Sequence, residues 1–184
     1  MDFDPRHAWF CTWSGKKLFV LDPKPEDICI EDIAGALSNL CRFNGHCDVF
    51  YSVAQHCIEV SYQVPKEWSL GGLLHDAAEA YLGDMIRPIK QVLPEFKELE
   101  KRWEKAIETA FDLQLTDEAR AAIKEADSRM LLTERRDVAH RAWGFRTWKE
   151  DEQGVRPFDG ILSPLPMSVN RQEFLARYRE LRSR

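Results

Sequence analysis

Apolar positions along most of this chain recur at helical spacing. Ile33, Ala34, Leu37 and Leu40-Cys41 share one face of a helix expected to end near Arg42-Phe43-Asn44-Gly45. Ser52 followed three residues on by Gln55 is a capping-box pattern, in which hydroxyl and amide reciprocally satisfy backbone donors, and it predicts a helix over 53–63 stopped by Pro65. Ser69 is placed to cap the next helix, whose stripe of Leu70, Leu73, Leu74, Ala77, Ala78 and Tyr81 runs up to Gly83. Pro88 and Pro94 bracket a connection. Between Glu95 and Leu113, apolar residues such as Leu99, Trp103 and Ile107 alternate with charged ones, the pattern of a half-exposed helix. Thr116 caps a helix expected to reach Ala139, ahead of the aromatic stretch Trp143 to Trp148. Glu150 to Met167 contains three of the nine prolines and reads as a surface loop, after which Ser168 or Asn170 starts a last helix. Only Trp9 to Leu21 breaks the helical rhythm, with two apolar runs about Ser14-Gly15 that read as a hairpin.

These elements predict an all-α bundle with a short N-terminal β-hairpin. At 184 residues the chain fits one domain, 1–184, made of the hairpin over 9–21, a helical core over 31–139, and a loop with a C-terminal helix over 150–182.

Composition narrows the partners. A net charge of −5 gives no reason to expect a broad basic face for duplex nucleic acid, while small anionic substrates stay open. No apolar run approaches the roughly 20 residues that span a bilayer, and the first ten residues have neither a basic nor an apolar leader segment, so the expectation is a cytoplasmic protein without a membrane partner. Five cysteines, with no C-x-x-C pair, point to reduced thiols. Cys41, Cys47, His46 and His56 lie close in sequence, but their spacing does not match the paired hairpins of a structural zinc site.

The candidate chemistry lies where the apolar pattern is interrupted. Asp127 falls on the stripe Ile123, Ala126, Met130, Leu131 and Glu134, and a carboxylate buried there needs a partner. His56 shares its helix face with Val53, Cys57 and Val60. His75-Asp76 adjoins a third stripe, and Glu79 follows His75 by four residues and Asp76 by three, which predicts that it lies over both. Each is ordinary alone, as an aspartate paired with arginine or a hydrogen-bonded core histidine. If the three helices pack through their stripes, His56, His75, Asp76 and Asp127 converge as two nitrogens and two or more carboxylate oxygens. Such a set suits Zn, Mn, Fe, Co or Ni better than Ca and leaves positions open for water and substrate. Hydrolysis of a phosphoester is the reaction class this favours.

In this order, His56, then His75-Asp76, then Asp127, the residues resemble the H…HD…D pattern of the HD-domain phosphohydrolase superfamily. The stretch HDAAEAYLGDMIRPIK from His75 to Lys90 is similar to that of bacterial HD-type 5′-deoxynucleotidases and of small phage deoxynucleoside triphosphate triphosphohydrolases, including dATP-specific ones. Similarity covers about residues 31 to 139. It implies a single HD-domain bundle, the four metal ligands above, Mg accompanying a phosphate tail, a small nucleotide as substrate and assembly into a homo-oligomer. It also implies that Glu79, with Asp76 assisting, orients or deprotonates water or protonates the leaving oxygen; a supporting role for Glu79 beside His75 is the alternative. Arg42 and Phe43 resemble the family's Arg-Trp pair, with phenylalanine for tryptophan, and would contact phosphate and sugar or base. Asp84 would reach the sugar hydroxyl, and in Pro88-Ile89-Lys90 the lysine would add a phosphate contact, with Pro88 beside it in the substrate site. Ala80 stands where hydrolases of guanosine tetraphosphate carry a second acid, and His7, His46 and His140 are not placed for a second metal. Three readings follow: cleavage of the 5′ phosphoester of a deoxynucleotide or of another small phosphoester, a nucleotide or metal sensor without turnover, and a helical interaction module.

Overall fold

The computed structural model describes residues 4, 7–139, 141, 143 and 146–183. A two-stranded antiparallel hairpin, β1 (Trp9–Cys11) and β2 (Lys17–Phe19), precedes nine α-helices among the described residues. These are α1 (Ile30–Asn39), α2 (Val53–Gln63), α3 (Ser69–Leu74), α4 (Glu79–Leu82), α5 (Arg87–Val92), α6 (Pro94–Ala110), α7 (Asp117–Asp137), α8 (Lys149–Glu152) and α9 (Met167–Arg182). The fold is therefore mostly helical with an N-terminal hairpin, as the periodicity predicts. No described helix is long and apolar enough to cross a membrane.

Helix α2 is the central element and packs against α1, α3, α7 and α9. Its Val53, Ala54 and Cys57 join a large core with Ile33, Leu37, Leu73, Trp103 and Phe174, while Val60 and Val64 join a second cluster with Ile123, Ala126 and Met130 of α7. His56 sits between the two. Close approach of α3 to both neighbours depends on Gly71 and Gly72. A Cβ on Gly71 would fall 2.6 Å from a Leu115 methyl and 2.9 Å from one of Ile123, and a Cβ on Gly72 would crowd the Ser61 backbone of α2 at 3.2 Å. The pair thus brings the His75-Asp76 end of α3 up to both α2 and α7.

Several boundaries differ from the sequence expectation, each for a local reason. Ser52 does accept from the Gln55 backbone N–H, but the Gln55 amide does not return the bond. It spans to the distant loop, donating to the Ser163 carbonyl and accepting from the Leu165 N–H, so only half of the capping box forms. Ser69 is the first residue of α3 rather than its cap, with its hydroxyl on the Pro65 carbonyl. The helix expected to continue to Gly83 tightens at His75–Ala78 into i→i+3 bonds before α4. There His75 Nδ1 takes the Gly72 carbonyl at 2.8 Å, the acceptor a continuing α-helix would offer to the Asp76 N–H. The connection between Pro88 and Pro94 holds most of α5, because Pro88 and Pro94 stand in the first turns of α5 and α6, where a missing N–H is harmless. Helix α1 stops at Asn39, ahead of Arg42, and α9 begins at Met167.

The loop after α1 is fixed at its base by Arg42 N–H to Tyr51 carbonyl and Val53 N–H to Leu40 carbonyl. Inside it, Phe43 and Asn44 take left-handed φ values of 56° and 55°. For an aromatic residue such a conformation is costly, about 1–3 kcal/mol, and is kept only where the surroundings impose it.

Candidate metal centre and its cleft

Three elements bring donor atoms to one point. His56 Nε2 from α2 lies 3.2 Å from His75 Nε2 and 3.5 Å from Asp76 Oδ2, and His75 Nε2 lies 3.3 Å from the same oxygen. Among the described residues, His56, His75 and Asp76 form a group whose ligand atoms all lie within 4.8 Å of one another, a set that can hold a metal ion. Asp127 of α7 borders the group, with Oδ1 3.3 Å from His56 Nε2 and Oδ2 accepting from Lys124 at 2.6 Å. It is half-buried rather than buried on the stripe, because α7 turns this position toward a cleft.

The far side of each ring decides what the near side offers. His75 Nδ1 faces the Gly72 carbonyl, which can only accept, so this nitrogen carries the proton. His56 Nδ1 lies 2.6 Å from Glu134 Oε1, and both side chains are fully buried. In the neutral imidazoles both Nε2 atoms are then lone-pair donors, directed at one another and at a carboxylate. That arrangement repels unless a cation, proton or metal, lies among them. Burial opposes charging His75, yet the Asp76 carboxylate outweighs it and lifts the imidazole pKa well above its usual value. Burial likewise tends to raise Asp76 and Asp127, but the imidazoles hold both carboxylates well below the aspartate range.

Glu134 was on the periodic stripe of α7 but was not expected at the site. Its second oxygen accepts from Arg42 Nε at 3.0 Å and Arg42 Nη2 at 2.8 Å. Arg42, expected to contact phosphate, therefore spends two of its donors on Glu134, and its Nη1 reaches only to 3.7 Å from Asp76. Burial disfavours the guanidinium charge, but Glu134 and Asp76 more than compensate and fix it as a cation.

A cleft of about 630 Å³ opens beside the group. Arg42, Phe43, Asp84, Pro88 and Lys90, all five positions that the sequence assigns to substrate, line it together with Asp76, Glu79 and Asp127. Glu79 lies in the cleft wall with Asp76. Its Oε1 is 3.4 Å from Lys90 Nζ, and its Oε2 is buried without a hydrogen-bond partner among the described residues. Burial, reinforced by Asp76 and Asp84, pushes its carboxyl well above the usual glutamate range. Burial also raises Asp84, although Arg42 counters it. Lys90 is held by Glu100 at 2.6 Å; burial works against its charge, and Glu79 and Glu100 outweigh that.

Sequence reasoning missed further lining residues: His46, Arg87, Lys124, Trp143, Trp148 and Glu150. His140, which the sequence leaves off the site helices, lies outside the described residues. The thiols of Cys41 and Cys47 are 3.4 Å apart, and neither belongs to a group of three candidate ligands among the described residues. A second cavity of about 410 Å³ is also lined by His75, Asp76 and Asp127, together with Glu104, Leu115 and Ile123.

No family model matches the chain. Two bacterial proteins are similar to it. The uncharacterized protein YfdR of Escherichia coli is 43% identical over 127 residues, covering 69% of this chain and 70% of its own length. An uncharacterized protein of Rhodobacter capsulatus is 38% identical over 193 residues, covering 96% of each.

Proposed function

The chain belongs to one family with YfdR and the Rhodobacter capsulatus protein, and we propose that it is a metal-dependent phosphohydrolase of the HD type, acting on the 5′ phosphoester of a deoxynucleotide. The observation that carries this reading is the pair of Nε2 atoms 3.2 Å apart, each ring anchored through Nδ1, facing the Asp76 carboxylate. Two imidazoles and carboxylate oxygens suit a transition-series ion such as Co, Mn, Zn, Fe or Ni, with His56, His75, Asp76 and Asp127 as the residues that would hold it. A divalent ion in such a site supplies Lewis acidity toward a phosphoryl oxygen and an acidified water.

The chain's own groups account for the rest of the reaction. Lys90 and Arg87 present positive charge to the cleft for the phosphate, while Arg42, neutralised by Glu134, acts mainly by holding that carboxylate on His56. Glu79, whose carboxyl burial pushes above the usual glutamate range, is suited to pass a proton to the departing 5′ oxygen as the P–O bond breaks. Water supplies hydroxide to phosphorus, so the products are a deoxynucleoside and either phosphate or triphosphate. Asp84 lines the cleft, where its carboxylate would accept from a sugar hydroxyl.

Incubating the protein with each deoxy- and ribonucleotide as mono-, di- and triphosphate, with Co²⁺, Mn²⁺, Zn²⁺ or Mg²⁺, tests the reading. Release of phosphate or triphosphate with an intact deoxynucleoside is expected. No release from any nucleotide with any of the metals rejects it.

A further inference from the structure

The cleft has two chemically different sides. One carries carboxylates and the cations Lys90 and Arg87; the other is aromatic. Phe43 lies 5.5 Å from Trp143 at 86° between ring planes and 6.4 Å from Trp148 at 60°, and the two tryptophans are 5.9 Å apart at 57°. None of the three rings is fully buried, and all three line the cleft. Three large aromatic rings beside a charged centre cost hydration free energy in an empty cleft, which distinguishes them from ordinary core residues such as Trp103, fully buried among apolar neighbours.

Trp148 is also anchored through its backbone, whose N–H donates to Asp151 at 2.8 Å, and Asp151 is paired through both oxygens with Arg135 of α7. The Arg135 guanidinium lies 5.0 Å over the Trp148 ring. Arg135 does not line the cleft, so it supports the ring from outside. Glu150, two residues on, is buried and bound to Arg87 at 2.5 Å, which ties the segment to α5. Because the rings meet at steep angles rather than stacked, each contact covers a ring face only in part.

Resting on the phosphohydrolase reading, we propose that Trp148 and Trp143, from the segment after α7, are the surface on which the substrate's base stacks while its phosphate lies toward Lys90 and the metal ligands. A planar ring at one end and an anion at the other is what this pairing of walls accommodates, and the cleft volume is that of a small-molecule site. Stacking of this kind is sequence-tolerant, since every base has a π-face. These residues therefore separate nucleotides from base-free phosphoesters and do little to separate one base from another.

Binding of deoxyadenosine monophosphate and of 2-deoxyribose 5-phosphate, which share a sugar phosphate and differ in the base, tests this by calorimetry with tryptophan fluorescence. The wild-type protein is expected to bind the nucleotide tenfold or more tightly than the base-free sugar phosphate, with quenching only by the nucleotide. Trp148→Leu should reduce that preference to less than twofold, and Trp148→Phe should retain most of it; circular dichroism checks that each variant is folded. The proposal is overturned if the preference survives in both Trp148→Leu and Trp143→Leu, if the variants weaken both ligands equally, or if the nucleotide does not bind. Quenching and preference without turnover of any phosphoester would sustain the stacking surface and reject the hydrolase reading. Turnover of both compounds with no advantage from the base would do the reverse.

Discussion

His56 and Glu134 form a fully buried pair, Nδ1 to Oε1 at 2.6 Å, on the side of the imidazole away from the candidate metal. Glu134 closes a chain from Arg42 through its carboxylate to His56, and thereby fixes both the tautomer and the orientation of the ring. Glu134→Ala takes from the buried Arg42 charge its hydrogen-bonded partner, leaving the 3.7 Å approach to Asp76, and leaves His56 free to rotate. The expected loss is about 3–5 kcal/mol of stability and about 10–100-fold in metal affinity, read by denaturant unfolding and calorimetric metal titration. Glu134→Gln should lose less of both, since it can still accept from one partner.

Arg42 and Lys90 line the same cleft but should respond differently. Arg42→Ala removes the partner of a buried carboxylate, so its main effect is a lower melting temperature. Lys90 is tied to Glu100 and Glu79 at the cleft wall, and Lys90→Ala should raise KM for phosphorylated substrates about tenfold with a stability change within about 1 kcal/mol. Equal losses of stability in the two variants would remove the distinction.

Glu79→Gln should keep the metal and lose rate by about 10²–10⁴-fold, the range for removing a positioned proton donor. Metal content by mass spectrometry beside kcat separates this from a ligand role: metal lost in parallel with rate would place Glu79 among the ligands.

The hairpin offers a pH test remote from the site. Asp32, buried on α1, accepts from the Ser14 N–H at 2.5 Å, the Ser14 hydroxyl at 3.1 Å and the Cys29 thiol at 3.0 Å. Burial alone would raise its pKa, but the donors outweigh it and hold the carboxyl below its ordinary value. A depressed folded-state pKa gives stability that is present above the unfolded value of about 3.9 and is lost as pH falls through the lower folded value. Asp32→Asn should therefore be less stable than wild type at pH 7 by about 1–3 kcal/mol, and the gap should narrow below about pH 4. A gap that stays constant across that range contradicts the assignment.

Much of this architecture is legible in the sequence because it is written in local patterns. The stripes of α2 and α7 and the hydroxyl caps at Ser52 and Thr116 appear where periodicity puts them. What is not legible depends on distant partners. Gln55 looks like half of a local capping box, but its amide is claimed by Ser163 and Leu165. Glu134 sits in register with the apolar residues of α7, which marks it as a buried acid, yet its meaning depends on Arg42, 92 residues earlier. The run from Leu73 to Tyr81 has the composition of an uninterrupted helix, and only the diversion of the Gly72 carbonyl to a side chain explains why it tightens at His75. Trp143 and Trp148 lie beyond the stretch that carries the HD-type pattern, so nothing local connects them to the cleft.

The central claim is that His56, His75, Asp76 and Asp127 enclose a divalent ion. Metal analysis of protein purified without chelator, followed by titration of the stripped protein with Co²⁺ and Mn²⁺, tests it most directly. A single ion per chain in the wild type, a raised melting temperature on reloading, and loss of the ion in both His56→Ala and Asp127→Ala are predicted. A stripped protein that binds neither ion and melts unchanged in their presence, or an Asp127→Ala variant with full metal content, would contradict it.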